Sequence, residues 1–131
     1  MTADALLAEI MRRADFVFAG WNVLMAVGVG LLAAVGSAAR LRTDRRAAKV
    51  LVAGFGFFAL THLLGMLHVV KQWASLTAAL RHTVFTERSL LSELDFAIAA
   101  PHVAWVVPFH LAFDALVLAG VWWLTKPRPA A

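Results

Sequence analysis

The sequence predicts an all-α integral membrane protein, with three transmembrane helices and short interfacial amphipathic helices, and three observations carry that reading. Of its 131 residues, 62% are hydrophobic and only 15% charged, and mean hydropathy is +0.78. No soluble core of this size buries so much apolar surface. The apolar residues come in three long blocks rather than in an amphipathic rhythm, and the basic residues gather at the ends of those blocks. A single membrane domain over 1–131 follows.

Residues 1–13 place Leu7, Ile10 and Met11 at helical spacing, with Asp4 as a candidate N-cap and Arg12 and Arg13 at the far end, which reads as an interfacial helix. The start lacks a basic leader region and carries Asp4 and Glu9, so it does not read as a cleaved signal peptide. Residues 16–39 form the first span. Ala19, Asn22, Ala26, Gly30, Ala33 and Ser37 fall on one stripe of it, expected to be a packing face because spans associate through small residues. Arg40, Arg42, Arg45, Arg46 and Lys49 crowd the connection at 40–49, which the positive-inside rule makes cytoplasmic.

The second span, 47–72, reads AAKVLVAGFGFFALTHLLGMLHVVKQ and carries His62 and His68, with a small-residue stripe of Gly54, Thr61 and Gly65. Residues 73–100 hold Arg81, Glu87, Arg88, Glu93 and Asp95, too many charges for a span at about 2.5–3.5 kcal/mol each in mid-membrane. Two interfacial helices on the outer face are expected there, one with the stripe Trp73, Leu76, Leu80 and Val84, the other with Leu91, Leu94 and Ile98. The third span, 102–124, follows Pro101, contains Pro108 as a candidate kink, and ends on Trp122 and Trp123 before Lys126 and Arg128 in the cytoplasmic tail 125–131. Both basic flanks agree on one orientation, N-terminus outside and C-terminus inside, in a membrane expected to be the bacterial inner membrane.

The functional reading rests on depth. With span midpoints near residues 27, 59 and 113 and a rise of about 1.5 Å per residue, His62 and His110 both lie about 4–5 Å outward of the membrane centre, and Asn22 about 7 Å outward. Asp114 is one turn inward of His110 on the same face. Ionisable residues inside a membrane are costly and usually face the bundle interior. Three site chemistries fit these residue types. His62 and His110, with Asn22 near them, could hold a haem b; His62, His110 and Asp114 could bind one transition metal; or a quinone could sit near the outer surface, with His68 and Asp114 handling protons. The alternative is plain interhelical hydrogen bonding. The size and three-span plan resemble the membrane-anchor subunits of succinate dehydrogenase and fumarate reductase in architecture; the likeness does not extend to the residues of THLLGMLH or PHVAWVVPFH.

Other classes are excluded or disfavoured. There is no cysteine, which removes disulfides, thiolate metal sites and cysteine catalysis. Walker A, H-E-x-x-H and G-x-S-x-G motifs are missing, so no enzymatic activity of the chain on its own is expected. The net charge of +4 sits at the membrane flanks, so its partners are lipid head groups, not nucleic acid. The expectation is a subunit of a larger membrane complex, in electron transfer or as a purely structural accessory, packing against larger subunits or itself; a proton or ion path formed by oligomerisation around Asp114 is the weaker alternative.

Overall fold

The computed structural model describes residues 2–38, 41, 44–84 and 98–126, and no strand occurs among them. Among the described residues the long helices are α1 (Ala3–Ser37), α2 (Arg45–Val84) and α3 (Val103–Thr125). All three are long and apolar enough to cross a membrane.

Local chemistry sets where the helices begin. The Thr2 hydroxyl, rather than Asp4, caps α1 by accepting from the Ala5 N–H at 3.4 Å, and Asp4 sits in the first turn. At the head of α2 the Asp44 carboxylate accepts from the Arg46 and Ala47 N–H groups at 2.9 and 3.1 Å. Both satisfy donors that a helix start leaves orphaned.

The expected interfacial helix at 1–13 and the span at 16–39 are one continuous helix. No Gly or Pro interrupts residues 13–16, and Glu9 accepts from both Arg12 and Arg13 along the helix surface, bracing its N-terminal turns. Similarly, the stripe of Trp73, Leu76 and Leu80 does not make a separate interfacial helix, because α2 runs on through it and buries Trp73 and Leu80. With 40 residues, α2 is about 60 Å long at about 1.5 Å per residue, twice the hydrocarbon thickness of about 30 Å. The second expected interfacial helix lies outside the described residues except for Ile98, which is buried and whose carbonyl accepts from the Trp73 indole N–H at 2.9 Å and the Thr77 hydroxyl at 3.1 Å. The segment entering α3 is thereby fastened to α2. Pro108 sits inside α3 without ending it.

Packing falls into two layers along the bundle. At one end Leu6, Ile10, Ala14 and Val17 of α1 meet Met66, Val69, Val70 and Trp73 of α2, with Val106 of α3 closing the cluster. At the other end Phe55 and Ala59 meet Val117, flanked by Leu31, Leu32 and Phe113. The small-residue stripes are not the packing faces expected. Ala19, Asn22, Ala26, Gly30, Ala33 and Ser37 are all exposed, as are Gly54, Thr61 and Gly65, and a Cβ added at Gly30, Gly54 or Gly65 would meet nothing within 4 Å. The contact face of α1 instead runs through Leu6, Ile10, Val17, Leu24, Gly28 and Val35, at the i, i+4, i+7 spacing of a helical stripe. Large apolar side chains, among them Phe18, Phe57, Leu60, Phe109 and Leu116, point outward, the arrangement of a bundle whose solvent is lipid.

Candidate functional site

Between the two apolar layers the bundle holds a polar chain that touches all three helices. His62 of α2 sits one helical turn from Phe58 and Met66 on the inward face, and its Nε2 lies 2.9 Å from the Gly20 carbonyl of α1. Its Nδ1 lies 3.0 Å from Nε2 of His110 on α3. The Nδ1 of His110 in turn lies 2.8 Å from Oδ2 of Asp114, one turn further along the same helix. His110 is fully buried and Asp114 is buried beside it. Trp21 tilts over the His110 ring at a centroid distance of 5.6 Å and meets Phe109 edge to face, while Phe58 covers His62 at 5.6 Å. The imidazoles are walled by aromatic surface.

Partner chemistry fixes the protons. A backbone carbonyl only accepts, so His62 Nε2 donates to Gly20. In a neutral His62 the Nδ1 is then an acceptor, which makes His110 Nε2 the donor. Two arrangements complete the chain: a protonated Asp114 donates to a neutral His110, or a cationic His110 donates to an Asp114 carboxylate. The group is electrically neutral in both. That neutrality answers the cost of burying ionisable groups in lipid, since no net charge is left unpaired. One oxygen breaks the pattern: Asp114 Oδ1 is buried with no hydrogen-bond partner among the described residues.

Among the residues named from sequence, then, the fold brings His62, His110 and Asp114 together and leaves two out. Asn22 is exposed on the far side of α1. His68 is exposed and pairs with Gln72 at 2.8 Å, away from the chain. The ligand readings find no donor here. All four ring nitrogens of His62 and His110 are engaged by protein groups, and the facing pair bond each other directly, which leaves no slot for a haem iron between them. The three side chains run in line rather than converging, and among the described residues no group of three or more His, Asp or Glu is arranged to hold a metal ion. A groove of about 310 Å³ between α1 and α2, bordered by Ala19, Val23, His62 and Gly65, opens beside His62. Its one imidazole donor is already given to Gly20, so a quinone carbonyl would have to compete for it.

Sequence reading missed Gly20, Trp21 and Phe58. Gly20 matters because it has no side chain: a Cβ there would stand 2.7 Å from Met66 Sδ and 3.4 Å from His62 Nε2. The bare backbone is what leaves room for the Met66 thioether beside the His62 contact. Gly20→Ala is expected to cost about 1 kcal/mol, the low end of overpacking, because the Met66 thioether can swing aside. Equilibrium unfolding in mixed micelles measures it. No sequence signal marks Gly20 among the other glycines; only the approach of His62 does.

No family model, no curated protein and no solved structure matches this chain. The fold and its buried polar chain therefore define the class: an all-α membrane protein with three candidate spans and a hydrogen-bonded histidine–histidine–carboxylate chain between them.

Proposed function

We propose that this protein is a small multi-pass subunit of a larger complex in the bacterial inner membrane, N-terminus outside and C-terminus cytoplasmic, and that it handles protons through Asp114, His110 and His62. The observation that carries the reading is the unbroken hydrogen-bonded run from Asp114 through both imidazoles to Gly20. A proton on Asp114 passes to His110 Nδ1, and the proton on His110 Nε2 passes to His62 Nδ1. Charge then rests on His62 and on the Asp114 carboxylate, and the total stays zero until the cationic His62 releases its Nε2 proton, by breaking its bond to Gly20, to an acceptor in the groove between α1 and α2 that it borders. The next proton has to be brought to Asp114 by a partner group, because its Oδ1 is buried and has no hydrogen-bond partner among the described residues. Under this reading, the electron-transfer role expected of the chain becomes the supply of protons to a redox partner in the complex, with no cofactor of its own.

Asp114→Asn tests it. The asparagine NH₂ still donates to a neutral His110, so the hydrogen bonds survive, but it holds no exchangeable acid proton. Proton flux in proteoliposomes, or in the native complex, should fall at least tenfold while the helical fold is kept. Unchanged flux would end the relay reading. It would favour the structural accessory role, which the outward-facing small residues Ala26, Gly30, Gly54 and Gly65 support as a face for a neighbouring helix.

A further inference from the structure

A groove lies far from the relay, at the end where α2 begins and α3 finishes. It measures about 650 Å³ and is lined by Lys49, Val52, Ala53, Leu118, Val121 and Lys126 among others. Its volume is in the range of sites that hold small amphiphilic molecules, about 300–1,000 Å³. The body of the groove is aliphatic, and its two lysines stand at one end.

That end is at the membrane boundary. Residues 50–70 carry no Asp, Glu, Lys or Arg, a run of about 31 Å at about 1.5 Å per residue, which matches one hydrocarbon thickness and puts Lys49 at its edge. The exposed Trp122 and Trp123 mark the same level on α3. Lys126 lies over the Trp122 ring, its Nζ 5.3 Å from the centroid, and both residues line the groove. No acidic residue lines the cavity, and neither lysine forms an ion pair among the described residues. Two cations thus share one mouth, with no acidic side chain among the described residues that line it, above a slot that hydrocarbon fills well.

We propose that this groove is a site for one anionic phospholipid, its acyl chain lying along Val52, Ala53, Leu118 and Val121 and its phosphate held between Lys49 and Lys126. Charge complementarity selects the head group and the aliphatic wall selects a chain over a soluble anion. The site is independent of the relay.

Native mass spectrometry of the full chain, purified in mild detergent and mixed with phosphatidylglycerol or phosphatidylcholine of identical chains, tests it. The wild type should retain phosphatidylglycerol in preference to phosphatidylcholine. Lys49→Gln with Lys126→Gln should weaken phosphatidylglycerol retention roughly thirty-fold, the product of two surface-lysine contributions. Arg12→Gln with Lys71→Gln, an equal charge loss elsewhere, should leave it unchanged. Ala53→Trp, which fills the slot and spares both lysines, should release either lipid, and it decides the matter if the double lysine variant fails to insert. The proposal is overturned if the lysine pair and the Arg12–Lys71 pair behave alike, if the two lipids are retained equally, if glycerol 3-phosphate without chains is held as well as the lipid, or if Ala53→Trp changes nothing.

Discussion

His110→Ala will destabilise the bundle by about 3–5 kcal/mol, while Asp114→Asn, four residues away in the same chain of bonds, will cost under about 1 kcal/mol. His110 is completely buried and is the middle link, bonded to His62 on one side and Asp114 on the other. Truncating a buried side chain of that size leaves a cavity worth about 2–5 kcal/mol. It also orphans His62 Nδ1 and Asp114 Oδ2, each an unmet polar group in an apolar interior at about 1–3 kcal/mol in water-soluble proteins. Interhelical hydrogen bonds within membranes average nearer about 0.6 kcal/mol, because the separated helices find other partners, so the cavity dominates the sum. The asparagine variant keeps every bond and opens no cavity. Denaturant titration in mixed micelles, followed by helical circular dichroism, reads both values. A cost below 1 kcal/mol for His110→Ala would mean that the ring is not packed as described. A cost for Asp114→Asn as large as that for His110→Ala would mean that the carboxyl is structural, and its loss of proton flux could then no longer be attributed to chemistry.

The part of this site that the sequence made legible is depth. Counting residues from span midpoints puts His62 and His110 at one level and Asp114 a turn below, because rise per residue is nearly constant along a helix. Azimuth is a different matter. Asn22 shares the level of the two histidines yet faces outward, since nothing in a uniformly apolar span says which side meets a neighbour. The small-residue rule pointed α1 the wrong way round: Ala26 and Gly30 are exposed and Leu24 and Gly28 are buried, two residues or about 200° apart on the helix. Backbone partners are equally invisible in a sequence, and the carbonyl of Gly20 enters the site only because α1 and α2 cross there. Helix extents failed for a simpler reason. Charge density marks where a chain leaves the bilayer, not where it stops being helical, so α1 and α2 run on past the expected ends of their spans.

That reversal of α1 gives the second large effect, a pair of identical substitutions two residues apart with opposite outcomes. At Gly28 an added Cβ would lie 2.8 Å from Phe113 Cε1 and 2.9 Å from Val117 Cγ2. Val117 is β-branched and buried, so it has no alternative rotamer to retreat into, and Phe113 immediately precedes Asp114. Gly28→Ala therefore has to push α3 away from α1, at about 1–3 kcal/mol for overpacking. At Gly30 the same methyl meets open space, and Gly30→Ala gains the better helix propensity of alanine, up to about 1 kcal/mol. Both glycines lie inside α1 and gain alike in helix propensity, so the two variants should differ by the overpacking cost alone, about 1–3 kcal/mol, in the same unfolding assay. Equal stabilities would mean that α1 is rotated relative to the bundle described, with Gly30 inward. The displacement of α3 also carries a functional consequence: Asp114 and His110 move with Phe113, so Gly28→Ala should slow proton flux although it removes no polar group, whereas Gly30→Ala should leave flux at the wild-type level. A Gly28 variant with intact flux and reduced stability would separate the packing of α3 from the geometry of the relay.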